Sequence, residues 1–348
     1  MTANFHLVFT LFIEMLDNSA CITSPHRSTI AFGSSAEHTK DDRENVIRLV
    51  CLLRWRWNLP GLFDLPPASK PGLFIAGIDE AVGKTVVACA MADVLTRYGA
   101  KVGVLKPFDT HAQKDRGNLV SLDAQALAHF ARLDPEVGSL SMVAPITHQQ
   151  RLDPALEMAL EGQSFDPTLI GRSLAAMDSA CDIILVEGIG GPMTPIDPNR
   201  LELTMTDLAR ELGYPVVVVT RADKGSLSRT ATTIFTLRAN GCFVAGIIIN
   251  YYKPDHPDRS MQLTREFLSK MNRTAILATV PIVRDRDKVD VASGRLHDEV
   301  RAAMALTDWR RIAKKPRPVI NGDSAVSGVG PDLSPGPGRK VTFIPPQP

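Results

Sequence analysis

The chain has 348 residues, 44% of them hydrophobic, with 39 Lys plus Arg against 38 Asp plus Glu and a formal net charge of +1. That suffices for one α/β core of ordinary domain size with residues to spare at both ends. The balanced charge argues against a nucleic-acid binder working by bulk electrostatics, and with no run near the roughly 18 apolar residues of a membrane span, no stable membrane insertion is expected. The cysteines at 21, 51, 89, 181 and 242 are widely spaced and lack a C-x-x-C pair, which reads as buried or incidental thiols in a reducing compartment, the cytoplasm. The eight histidines are scattered, without an i, i+4 pair or a Cys/His cluster of metal-ligand spacing.

Phe5 to Leu16 is apolar but lacks a basic leader, carries Glu14 and has no small-residue cleavage site close behind it, so it is not read as a signal peptide. Residues 43–57 pair Arg43, Arg48, Arg54 and Arg56 with Ile47, Leu49, Trp55 and Trp57. Two readings stand: a basic amphipathic helix for a membrane surface or partner, or an extension outside the fold. We take residues 1–70 as that extension and 71–312 as the folded domain. Residues 313–348, rich in Pro, Gly and Ser, read as a disordered tail.

Within the domain, strands are expected at Leu73 to Ala76, Lys101 to Leu105, Cys181 to Glu187, Pro215 to Thr220, Phe243 to Asn250 and Ala275 to Val280. Helices are expected near 84–98, 121–132, 168–180, 203–212, 227–240 and 259–271. The alternation, with nearly continuous apolar strands such as Val216 to Val219, implies a single α/β domain with disordered ends: a mostly parallel β-sheet covered by helices on both faces. Ligands of such sheets gather beyond the carboxyl ends of the strands.

The first strand runs into Gly77-Ile78-Asp79-Glu80-Ala81-Val82-Gly83-Lys84-Thr85. A glycine-rich turn between strand and helix aims backbone N–H groups and a helix N-terminus at one point, which suits a polyphosphate. Lys84 is expected to reach the β and γ phosphates and the Thr85 hydroxyl to ligate Mg²⁺. A glycine turn with a surface lysine, the plainer alternative, leaves the Lys-Thr pair without a role. Five residues separate Gly77 from Gly83, one more than in the usual motif. The second strand ends at Lys106-Pro107, which puts another ammonium near the same phosphates. Asp123 opens the next helix, and the third strand ends in Glu187-Gly188-Ile189-Gly190-Gly191. Thr85, Asp123 and Glu187 together offer three oxygens to a Mg²⁺ that prefers oxygen ligands.

These motifs, in this order, resemble the dethiobiotin synthetase family of phosphate-loop (P-loop) NTPases over roughly residues 72 to 285. The carriers are Gly77-x-Asp79-x-x-Val82-Gly83-Lys84-Thr85, Lys106-Pro107, Leu122-Asp123-Ala124, Val186-Glu187-Gly188-x-Gly190-Gly191, and the run from Gly225 through Gly241-x-x-Val244-Ala245-Gly246-x-x-x-Asn250. The resemblance implies a cytoplasmic homodimer that uses ATP and Mg²⁺ to close a ureido ring on 7,8-diaminononanoate with CO₂. It implies catalysis by Lys84 and Lys106, and nucleotide contacts from Gly77, Asp79, Glu80, Ala81, Val82, Gly83, Lys84, Thr85, Val86, Glu187 and Gly190. Asn250 would contact the adenine, with Pro281 also on the nucleotide. Lys106, Thr110 and a helix start at Gly225, Ser226, Leu227 and Ser228 would contact the substrate, the last set from the partner subunit.

Three departures fall on the substrate side: Glu80 replaces a threonine, Ser228-Arg229 replaces Asn-His, and Phe108-Asp109-Thr110-His111 follows Lys106-Pro107 in place of small residues. A carboxylate about 6 Å from a phosphate charge costs roughly 3 kcal/mol at an effective dielectric near 20, so Glu80 must turn away or meet a cation. Partitioning or septum-site ATPases share such a sheet but carry an extra lysine early in the loop, where Ile78, Asp79 and Glu80 stand here. Cobalamin-pathway amide ligases add a glutaminase domain. A degenerate ATP-binding module, acting on another substrate or on a partner, is the remaining alternative.

Overall fold

The chain's long apolar runs become the strands of one six-stranded, wholly parallel sheet. The computed structural model of the chain describes residues 62–134, 138–253, 259–283 and 290–315. The apolar stretch at 5–16, the Arg/Trp segment at 43–57 and the Pro/Gly-rich segment after 315 lie outside the described residues.

In chain order, β1 (Gly72–Gly77) leads through the glycine loop to α1 (Lys84–Arg97) and β2 (Val102–Leu105). Short pieces follow: β3 (Phe108–Asp109), β4 (Gln113–Asp115), β5 (Asn118–Val120), α2 (Leu122–Ala131), α3 (Leu140–Val143), β6 (Ile146–Thr147) and α4 (Pro154–Glu161). The regular alternation then resumes with α5 (Pro167–Ala180), β7 (Ile183–Glu187), α6 (Met205–Leu212), β8 (Val216–Arg221), α7 (Ser226–Ala239), β9 (Val244–Tyr252), α8 (Arg259–Asn272) and β10 (Ile276–Pro281). Two more helices, α9 (Asp298–Ala305) and α10 (Trp309–Ile312), close the described chain.

The strand order is β10-β9-β8-β1-β7-β2. From β1 the chain first moves toward β2 and then returns across the sheet, so right-handed crossovers send α1 to one face and α5 to α8 to the other. The reversal leaves β1 between β7 and β8, and its carboxyl end opens into the crevice where open α/β sheets bind ligands. Strand interiors are buried on both faces, as at Val216 to Val219 and Ile183 to Val186, which is why they read as continuous apolar runs instead of alternating ones.

Local chemistry sets the helix ends. Ser121 caps α2 by accepting from Ala124 N–H, Thr204 and Asp207 form a capping box on α6, and Gly213 ends it with φ 66°.

The packed chain is longer at both ends than residues 71–312. Phe63 is buried in the core, its ring edge-on to Phe165 at 5.7 Å, and Phe63 N–H donates to Glu211 at 3.1 Å. Ser69 and Lys70 N–H donate to Asp178, both at 2.8 Å. At the other end Gly72 N–H donates to Lys314 C=O at 2.9 Å. The extension expected outside the fold therefore contributes residues 62–70 to it, through backbone groups that only the tertiary structure pairs. Arg301 of α9 binds Asp93 of α1 at 2.6 Å, which returns the chain to the α1 face.

Candidate active site

Two lysines and three oxygen donors meet at the carboxyl ends of β1, β2 and β7. Thr85, the second residue of α1, donates its hydroxyl to Glu187 Oε1 at 2.7 Å and lies 3.2 Å from Asp123 Oδ2. Lys106 Nζ sits between the same carboxylates, bonded to Asp123 and 3.2 Å from Glu187 Oε1. Lys84 Nζ donates to Asp79 C=O at 2.8 Å and Gly190 C=O at 3.0 Å. Lys84, Lys106 and Glu187 are all buried.

Their electrostatics diverge. Burial pulls the Lys84 ammonium down to about 8, although Glu187 opposes the shift. Burial acts on Lys106 in the same sense, but Glu187 and Asp123 outweigh it and hold that lysine well above the usual range. Burial raises Glu187, with the Lys106 charge opposing. Glu187 Oε2 is buried without a partner among the described residues. A hydroxyl and two carboxylates, one with a spare buried oxygen, fit a hard divalent cation such as Mg²⁺.

The glycine loop leaves no room for side chains at two positions. A Cβ on Gly77 would lie 2.8 Å from Lys84 Nζ, and one on Gly83 would lie 2.2 Å from Asn250 Nδ2. Gly83 has φ 83°, a conformation glycine takes without steric cost. Val82 is buried, while Asp79, Glu80 and Ala81 are exposed and Thr85 and Val86 half-buried. Glu80 N–H is held by Asp79 Oδ1 at 2.8 Å, and the Glu80 charge, like that of Glu187 but more weakly, opposes the lowering of Lys84 by burial. The loop's acid is thus exposed to solvent.

Whereas the resemblance implies an adenine contact for Asn250, its amide is engaged inside the protein: Nδ2 donates to Val82 C=O at 2.9 Å, and Oδ1 accepts from Tyr251 N–H at 2.9 Å. Pro281, the last residue of β10, pairs in register with Tyr252, at the same end of the sheet.

The substrate-side residues are more dispersed. Thr110 is fully buried, with its hydroxyl 3.5 Å from His111 Nδ1. Asp109 next to it accepts from His111 N–H at 2.9 Å and from the Ser121 hydroxyl, so the cap of α2 also anchors the segment after Lys106. Gly225 starts α7 with φ 83°. Ser226 is buried and donates to Asp223 C=O at 2.7 Å, while Ser228 is exposed and Leu227 half-buried. Arg229 pairs with Asp223 at 3.2 Å across an exposed surface. No hydrogen bond or ion pair among the described residues joins Gly225 to Ser228 with the lysine cluster.

Sequence reading missed a trio that tertiary structure assembles. His148, Glu157 and Glu161 bring potential metal-ligand atoms within 4.8 Å of one another. His148 Nδ1 lies 2.9 Å from Glu161 Oε2, and the buried Glu157 carboxylate is already occupied by Gln150 and Leu152 N–H at 3.2 and 3.0 Å. Since His148 N–H donates to Asp109 C=O at 2.7 Å, the trio braces the segment that carries Thr110. Arg221 and Tyr251 were also not singled out; a charged residue closing β8 after Val216 to Val219 and Thr220 was the available signal for Arg221.

Fold and site together define a phosphate-loop α/β protein with two buried lysines beside the loop. The family model described as AAA domain matches residues 71–289. The chain is 30% identical to the ATP-dependent dethiobiotin synthetase BioD of Thermodesulfovibrio yellowstonii over 223 residues, 63% of this chain and 92% of the relative. It is 31% identical to that of Aromatoleum aromaticum over 63% of this chain and 94% of the relative, and 33% identical to one from Anaeromyxobacter dehalogenans over 60% and 89%. The chain belongs to the ATP-dependent dethiobiotin synthetase family.

Proposed function

We propose that the protein uses ATP and Mg²⁺ to close the ureido ring of dethiobiotin from 7,8-diaminononanoate and CO₂, a step of biotin biosynthesis, as a cytoplasmic homodimer. The observation that carries this reading is the convergence of Lys84, Lys106, Thr85, Asp123 and Glu187 beside a phosphate loop, in a chain of this family.

In the reaction, one substrate amine attacks CO₂ and loses a proton, forming a carbamate. A carbamate oxygen then takes the γ-phosphoryl group of ATP and ADP departs. The second amine attacks the carbamoyl carbon, loses its proton and expels phosphate, which closes the ring. Such chemistry asks for positioning and charge neutralisation more than for a strong acid or base. Lys84, lying across the loop from Asp79 to Gly190, would meet the transferring phosphoryl group. Lys106, kept protonated by Glu187 and Asp123, would face the same charge from the β2 side. Bound Mg²⁺ would be held by Thr85, Asp123 and Glu187 and would neutralise charge shared by the β and γ phosphates. Thr110 would contact the carbamate or its nitrogens, and the α7 start at Gly225, Ser226, Leu227 and Ser228 would take the substrate carboxylate of the other subunit through free N–H groups.

A second reading, a different or longer diamino acid, is favoured by Arg229, a stronger carboxylate clamp than the histidine of the family pattern. The test is phosphate release from MgATP with and without 7,8-diaminononanoate and bicarbonate, with Lys84→Ala as the blank. Release that needs both additions and vanishes in the variant is expected. Release driven instead by a longer diamine moves the assignment to the second reading, and indifference to every diamine removes the ligase assignment.

A further inference from the structure

We propose that Arg221 is a positioning residue for the nucleotide: together with Asn250 it fixes the outward-facing carbonyls of the phosphate loop, so that the loop N–H groups stay aimed at a bound phosphate. The inference rests on the ATP-binding half of the reading above and not on the identity of the diamine.

A loop that turns its N–H groups toward an anion turns carbonyls the other way, and those carbonyls need donors. Here successive carbonyls are served by neighbouring strands. Arg221 Nη2 donates to Ala81 C=O, and Asn250 Nδ2 donates to Val82 C=O at 2.9 Å and reaches Gly83 C=O at 3.5 Å. The two donors are register partners, Arg221 at the end of β8 and Asn250 two residues before the end of β9, so the sheet itself sets their spacing. Ala81 has φ 48°, a left-handed conformation that costs a residue with a Cβ on the order of 1 kcal/mol or more. Such strain persists only where the surroundings hold it, and the Arg221 bond is that hold.

The guanidinium is itself fixed. It stacks over the Tyr251 ring, 4.8 Å from its centroid, and Tyr251 also sits in the left-handed region with φ 54°. Arg221 Nε is buried and has no acceptor among the described residues. It shares an edge of the guanidinium with Nη2, so the fork that arginine uses for paired acceptors is half filled by Ala81. Because the contact runs to the loop backbone, Arg221 acts on the phosphates that every nucleotide places there, not on the γ-phosphate alone.

The experiment is calorimetric titration of ADP and of the β,γ-imido analogue of ATP, each with Mg²⁺, into the full chain. Arg221→Ala is expected to weaken both nucleotides by a similar factor, about 10- to 100-fold for a lost charge-assisted hydrogen bond. Arg221→Lys should recover part of the loss, and Tyr251→Phe, which keeps the ring, should bind as the unaltered chain does. In turnover, KM for ATP should rise in Arg221→Ala while KM for the diamine stays put. Melting of the nucleotide-free variants checks folding, and if Arg221→Ala does not fold, Arg221→Gln takes its place. Unchanged affinities would overturn the proposal. So would a loss confined to the triphosphate, which would make Arg221 a direct γ-phosphate contact. If the unaltered chain binds neither nucleotide, the ATP reading falls and takes this one with it.

Discussion

The phosphate end of the site and its substrate end are built differently. At the phosphate end, Lys106, Thr85, Asp123 and Glu187 are joined to one another through buried or half-buried contacts, Lys84 is held by the Asp79 and Gly190 carbonyls, and the loop carbonyls are tied to β8 and β9. At the substrate end, Thr110 hangs from a brace of short strands, while Gly225 to Arg229 lies largely exposed with its own local partners. Binding a highly charged polyphosphate rewards a rigid, pre-paid arrangement. On the proposed reading, in which the substrate is shared between two subunits, the residues at the other end would stay half-committed until both are present.

The largest effect expected from breaking this contrast lies at the phosphate end. Lys106→Ala should lower single-turnover phosphoryl transfer by about 10²- to 10³-fold, as for removal of a transition-state donor, and should also lower the melting temperature, because Glu187 and Asp123 lose their cation. A turnover loss of only a few-fold would mean that Lys106 is structural.

Next comes a trade between function and stability at Lys84. Its folded value of about 8 lies below the unfolded 10.5. The unfolded chain therefore binds more protons between those two values, and this group makes the fold gain stability as pH rises through that window. Below it, the cost of burying the charge is fully present. Lys84→Met should accordingly melt higher than the unaltered, nucleotide-free chain at pH 7, and the gap should close as pH climbs past 8. An equal or lower melting temperature at pH 7 would show that the loop carbonyls already compensate the charge.

Smaller effects are expected at the substrate end. Arg229→Ala breaks an exposed pair worth no more than about 1 kcal/mol, so stability should barely move, while KM for the diamine rises and KM for ATP does not. Equal KM values for the diamine would remove Arg229 from substrate recognition. Least of all, Glu80→Thr should tighten ATP binding by about two- to fivefold, in keeping with the loss of one exposed charge, with turnover retained. A large loss of turnover at unchanged ATP affinity would place Glu80 on the substrate instead.

What was legible in the sequence follows the same division. The six sheet strands and the helices between them were readable because a parallel sheet buried on both faces demands long apolar runs, as in Val216 to Val219. The phosphate loop was readable because its geometry comes from contiguous residues. By contrast β3 pairs with β6 over two residues each, Phe108 with Ile146 and Asp109 with Thr147, and α4 carries Glu157 inward to cap backbone N–H groups. Two-residue strands leave no periodic trace, and the role of Glu157 comes from contacts outside its own helix.

Asn250 marks the boundary between the two kinds of information. The sequence alone determined its place late in an apolar strand, along with the parallel sheet and the phosphate loop, because apolar periodicity and local backbone geometry are written in consecutive residues. Only the tertiary structure decided that Asn250 and Arg221 lie side by side against the back of the loop, that Lys106 falls between Asp123 and Glu187, and that residues 62–70 pack on the core. Each depends on which strand ends become neighbours, and that is set by crossovers spanning long stretches of chain.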